Sequence, residues 1–205
     1  MRPGKDSVTS NCASTLPVTS IVELLRADDA QVTVLFDRYA TAEGNQSPAV
    51  VRDRLIGRIC ETLSIQRLAE EEVLYPALRA NDEKLVFAFS LAGLGISMRI
   101  GEIRDPGKPR ATRDFALQRL LDLVRRNMYE RAQVLLPFVR SRISQTQLLW
   151  LGDDYQQRKA RLWMVANAAN APRAVLGAED SMAGRTAFPM ALWRKRKGTD
   201  EARLQ

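Results

Sequence analysis

Apolar side chains recur every three or four residues through most of this chain, and that period commits it to helices. Ser20 and Glu23 have the spacing of a capping box, and Ile21, Leu25, Val32, Phe36 and Tyr39 follow on one face. A first helix from about Ser20 to Ala40 is predicted. "TAEGNQSP" interrupts the period, and Ser47 with Pro48 offers an N-cap and a first-turn residue for a second helix. Its stripe is Val51, Leu55, Ile59, Leu63, Gln66, Glu70, Val73 and Leu74, with Pro76 expected to kink or end it. A third helix is predicted from about Asp82 to Ile103, turning Leu85, Phe89, Ile96, Ile100 and Ile103 inward despite Gly93, Gly95 and Gly101. "RDPGKP" is a break, and Thr112 or Arg113 opens a fourth helix carrying Phe115, Leu120, Val124, Met128, Leu135 and Phe138. Pro137 should bend its last turns. A short fifth helix from about Gln145 to Asn167 places Leu148, Leu151, Tyr155 and Leu162 on one side.

Long amphipathic helices joined by short breaks predict an all-α fold, an antiparallel four-helix up-and-down bundle over residues 19–167 with the fifth helix folded back on it. At 205 residues and 45% hydrophobic content one domain with a sizeable core is expected. Residues 1–18 read as a flexible lead-in, and residues 168–205 as a basic, disordered tail without sustained period. No run of about 18 apolar residues suggests a membrane span, and the N-terminus lacks the apolar centre of a signal peptide. Cys12 and Cys60 do not make a secreted disulfide framework, so a soluble cytoplasmic protein is expected. The net charge of +7 favours acidic partners in general. Its densest patch, "WRKRK" from Trp193 to Lys197, could touch nucleic acid or an acidic membrane but reads more simply as a solvated end. There is no phosphate-binding glycine loop: "GLG" in "LAGLGIS" lacks the lysine and the preceding strand.

Histidine is absent from the whole sequence, which rules out imidazole as a metal ligand or a catalytic base. The positions that break the apolar stripes therefore carry the functional information, because an unpaired buried polar group is costly. Asp29 interrupts the first stripe, Gln66 and Glu70 the second, and Asn127 and Arg131 the fourth, while Gly93 leaves the matching position of the third vacant. Cys60 reads as a packed thiol, and Glu71 and Glu72 as a solvated face.

The segments "IVELLRADDAQVTVLFDRYA", "ICETLSIQRLAEEEVLYPAL" and "LVRRNMYERAQVLLPFVRSRIS" resemble the hemerythrin-like, or HHE cation-binding, domains, over roughly Ile21 to Leu162. The resemblance implies a bundle that holds di-iron through histidines of all four helices and bridging carboxylates. Placed on this sequence, the family's histidines fall on Asp29, Gln66, Gly93 and Asn127, its bridging glutamate on Glu70, and its second carboxylate on Arg131 or Ala132. Only Glu70 matches the pattern.

Two expectations follow. In the first, Arg131 pairs with Asp29 and Glu70, supported by Gln66 and Asn127, as a polar-core network that replaces the metal. The protein is then a non-enzymatic, degenerate hemerythrin-like domain without cofactor, an interaction or regulatory module for a protein partner. In the second, Asp29, Gln66, Glu70 and Asn127 form a residual oxygen-donor site for a divalent cation. A nucleic-acid or membrane adaptor using the basic tail is a third reading. If Gly93 leaves a cavity, a small ligand becomes a fourth.

Overall fold

The computed structural model describes residues 19–170, which are helical nearly throughout and contain no strand. The flanking residues, and with them the expected flexible lead-in, the basic tail, Cys12 and the Trp193–Lys197 patch, lie outside the described residues. Five helices follow one another. Helix α1 is Ile21–Gly44. Helix α2 opens as Ala49–Ala69, passes through a π-helical turn Glu70–Leu74, and closes as Tyr75–Arg79. Helix α3 is Glu83–Arg104. Helix α4 is Arg110–Glu130, a second π-helical turn Arg131–Leu135, and a closing segment Leu136–Arg142. Helix α5 is Gln145–Asn170.

The starts show which local signals decided. At α1 the capping box forms as read: the Glu23 amide donates to Ser20 Oγ at 3.4 Å and the Ser20 amide to Glu23 Oε2 at 3.2 Å. The Asp82 carboxylate caps α3 by accepting from the Leu85 amide at 2.9 Å. At α2 the expectation fails, since Pro48 rather than Ser47 is the capping residue and no side chain caps the helix. Helix α4 likewise begins earlier than expected, after Pro109, whose fixed φ already suits the helix entrance.

Neither proline inside the helices ends one. Tyr75 donates its amide to the Glu70 carbonyl, and Leu136 donates to the Arg131 carbonyl, five residues back instead of four. A wider turn just before Pro76 and Pro137 accommodates a residue that cannot donate and whose ring crowds the preceding turn. The two helices repeat one plan: Gln66 and Asn127, Glu70 and Arg131, and Pro76 and Pro137 are each offset by 61 residues.

Two apolar clusters fill the interior. One joins Val32, Phe36, Ile59, Leu63, Ile96, Ile100, Leu120 and Val124. The other joins Ile21, Leu25, Leu74, Phe89, Leu135, Val139, Leu148 and Tyr155. Helices α1 to α4 contribute to both, and the predicted inward positions of α1 are buried throughout. Two expected core residues are not. Val51 and Phe115 are 41% and 62% exposed: Val51 lies in the first turn of α2 among other exposed residues, and Phe115 faces outward while Ala116 and Leu117 beside it take the core positions. Leu85 is only partly buried and Val86 takes the core position.

Helix α5 is not short. It runs for 26 residues and lies against α1 and α2. Arg58 stacks over the Trp163 ring at 4.4 Å, and Arg158 pairs with Glu72 at 2.8 Å. Close approach to the start of α1 requires Gly152, whose added Cβ would stand 2.0 Å from the Thr19 carbonyl oxygen. Gly152→Ala is therefore expected to lose about 2 kcal/mol in urea unfolding, because backbone must move to admit one methyl group; an unchanged midpoint would show that α5 does not pack this closely.

Candidate functional site

Between the two apolar clusters lies a polar layer. On α1 it falls between Leu25 and Val32, on α2 between Leu63 and Leu74, and on α4 between Val124 and Leu135. Asp28, Gln66, Glu70, Asn127 and Arg131 are all less than 9% exposed, and Asp29 is partly buried beside them. Helical spacing explains the convergence: Gln66 with Glu70, and Asn127 with Arg131, are one turn apart on the inward face of each helix.

Arg131 is the centre of the layer. Its Nη1 lies 3.2 Å from Asp29 Oδ1 and 2.9 Å from Glu70 Oε1. Its Nη2 donates to Glu70 Oε2 at 3.3 Å and to Asn127 Oδ1 at 3.2 Å. Tyr75 donates its hydroxyl to the same Glu70 oxygen at 3.0 Å. One planar fork thus binds α1 to α2 and α4 at a single level, which a lysine's single ammonium could not do with the same geometry.

A second cluster continues the layer to α5. Tyr155 donates its hydroxyl to Asp28 Oδ2 at 2.7 Å, and Lys159 pairs with Asp28 Oδ1. Gln66 donates its amide to the Asp28 backbone carbonyl at 3.2 Å rather than to the Arg131 group. Tyr155→Phe should cost about 1.5 kcal/mol in chemical denaturation, the worth of a hydrogen bond to a charged group; no loss would mean that Asp28 finds another donor.

No protein-family model, curated protein or solved structure matches this chain.

The expected network Asp29, Glu70, Asn127 and Arg131 is assembled, with Gln66 buried next to it but bonded elsewhere. The sequence reading missed Asp28, Tyr75, Tyr155 and Lys159. Asp28 follows no apolar stripe, because adjacent helical residues point about 100° apart and Asp29 takes the inward position. Helix α1, however, is covered on one flank by α2 and on another by α5, so both neighbouring carboxylates are enclosed. Tyr155 was read as an apolar position, and its hydroxyl was the available clue, since a buried tyrosine normally finds a partner.

Gly93 does not leave room for a ligand. The Arg67 stem crosses it, with Cδ and Cγ 3.3 Å from where a Cβ would stand, while its guanidinium pairs with Glu71 at 2.7 Å. The remaining cavity beside Arg131 measures about 20 Å³, room for roughly one water. Glu71 and Glu72, read as a solvated face, are each held in an ion pair at the surface. Cys60 is a packed thiol whose pKa burial pushes up to about 11, against the pull of Arg104, so it is not an activated nucleophile.

Three carboxylates of the layer, Asp28, Asp29 and Glu70, face two cations, Arg131 and Lys159. Burial raises Asp29 to about 6, with Arg131 opposing and Glu70 and Asp28 adding to the rise. Burial likewise pushes Glu70 up, opposed by Arg131 and the Tyr75 hydroxyl. Burial works against the Arg131 charge, but Glu70 and Asp29 outweigh it and hold the guanidinium protonated.

These residues do not fit a di-iron centre. The Arg131 guanidinium lies between Asp29, at the first ligand position, and Glu70, at the bridging position, and it repels a cation while pairing with both carboxylates. Asn127 Oδ1 is engaged by Arg131 as well, and Gln66 is turned toward α1, where its Nε2 donates to the Asp28 carbonyl. Among the described residues no three His, Cys, Asp or Glu side chains converge as a metal site.

Proposed function

We propose that α1 to α4 form a hemerythrin-like up-and-down bundle in which an arginine–carboxylate layer stands in place of the metal, and that the chain acts as a non-catalytic interaction or regulatory module. The observation that carries this reading is the position of Arg131 Nη1, 3.2 Å from Asp29 and 2.9 Å from Glu70, which puts a permanent positive charge where a metal's would be. The substitution is polar throughout. Apolar residues would have closed an abandoned site more simply, and buried ion pairs of this kind are best attested as devices that fix register and orientation. Here the guanidinium dictates how α1, α2 and α4 align. The sequence has no histidine, Cys60 is buried, and the layer's carboxylates Asp28, Asp29 and Glu70 are each paired with a cation.

Elemental analysis of the purified protein, together with its ultraviolet-visible spectrum, tests this. Less than about one tenth of an equivalent of any transition metal and no visible absorption are expected. Stoichiometric iron, manganese or zinc that is lost in Glu70→Ala would replace this reading with a cation-binding one.

A further inference from the structure

Helix α3 is apolar on two faces. Its inner face supplies Val86, Phe89, Ile96 and Ile100 to the core, whereas Phe87, Leu91, Leu94 and Met98 point outward and are 54–67% exposed. By length and composition it could also cross a membrane, with a mean hydropathy of 1.4 over an 18-residue window of which 33% is buried. The outward residues are spaced four, three and four apart, the seam along which one helix packs against another. Beside the seam stand Ala88, Ser90 and Ser97, small enough for a second helix to approach closely, whereas Gly95 is taken up by Leu123 of α4, 3.2 Å from where a Cβ would stand. A contiguous apolar patch of this size on a folded chain marks an interaction surface.

We infer that this face is the interface of a reversible homodimer in which α3 packs antiparallel against α3 of a second copy. A two-fold axis between Leu91 and Leu94 stacks Leu91 on the partner's Leu94, and Phe87 on the partner's Met98, so that every seam residue meets an apolar counterpart. The same axis brings Lys84, one turn before Phe87, toward the partner's Glu102, one turn beyond Met98, an acid that Arg99 of its own helix holds at 2.6 Å, so that Lys84 joins this pair as a second cation at the rim. Four large side chains with their small flanking residues bury on the order of 1,000 Å² over both copies, the lower bound for a specific interface. The face is not built for a lipid surface. An interfacial helix carries a basic polar face opposite its apolar one, and the opposite face of α3 is core. This inference is independent of the reading of the polar layer.

Sedimentation equilibrium of the full chain, from about 1 to several hundred micromolar, is expected to show a monomer–dimer equilibrium. The double variant L91E/L94E should be monomeric across that range with an unchanged circular-dichroism spectrum, and its melting temperature should match that of the wild type at the lowest concentration, since both positions are exposed. Single variants L91E and L94K should each dimerise at least tenfold more weakly, and mixing them should restore association, because antiparallel stacking opposes position 91 to position 94. A monomer at all concentrations overturns the inference, as does a dimer insensitive to L91E/L94E or a mixture of L91E and L94K that stays monomeric. Cosedimentation with phosphatidylcholine–phosphatidylserine vesicles that is abolished by L91E/L94E, without self-association, would assign the face to a membrane instead.

Discussion

Arg131→Met is expected to destabilise the protein by about 3–5 kcal/mol at pH 7, enough to unfold much of a marginally stable domain. The loss does not measure the strength of the ion pairs. It is the cost of leaving Glu70, 3% exposed, and Asp29 without the cation that lies between them. Two corollaries separate this from a packing defect. Adding Glu70→Gln to Arg131→Met should recover most of the loss, because the more deeply buried of the uncompensated charges is gone. The deficit of the single variant should also shrink as pH falls toward 5, since both carboxyls are displaced upward and become neutral. Urea titrations of the wild type, the single variant and the double variant at two pH values decide the matter. A deficit that is equal at both pH values and not relieved by Glu70→Gln would place the effect in side-chain volume.

The second large effect concerns Asp29. The folded state holds its proton to about pH 6, whereas the unfolded chain releases it near the ordinary value of 3.8. Between these values the folded state binds more protons, so its stability falls as pH rises. The contribution is fully present below about pH 4 and lost as pH rises through 6. Its full size is roughly 3 kcal/mol, and Glu70 acts in the same direction. Asp29→Asn keeps an acceptor for Arg131 Nη1 while removing the charge. It should be more stable than wild type by about 2 kcal/mol at pH 7, the weaker neutral hydrogen bond offsetting part of the gain. Its stability should also fall less than that of the wild type between pH 4.5 and 7, the remaining fall belonging to Glu70. Parallel stability–pH curves for the two proteins would show that Asp29 is ionised in the fold at all these pH values.

The helices were legible because each conveys its period locally. The capping box at Ser20 and the unbroken stripe of α1 needed nothing beyond α1 itself. The prolines were less legible. Pro76 and Pro137 read as kinks or ends, because sequence periodicity does not register a π-helical turn that lets the helix continue. The seam on α3 was also invisible as a second face, since Phe87, Leu91, Leu94 and Met98 are interleaved with the core positions and blur the amphipathic pattern.

Sequence alone determined that the fold is helical and that polar residues recur at one level of α1, α2 and α4. It also determined, through the lack of histidine, that this level could not hold metal by imidazole. It placed Asp29, Glu70, Asn127 and Arg131 in one group because spacing of four on a helix is a local property. Only the tertiary structure decided who bonds to whom. Gln66 turns to a carbonyl on α1, Arg67 fills the place of Gly93, and α5 encloses Asp28 with Tyr155 and Lys159. The physical reason is that a buried charge is satisfied by whichever partner long-range packing brings within about 3 Å, and the 38 to 131 residues that separate these partners carry no trace of that proximity.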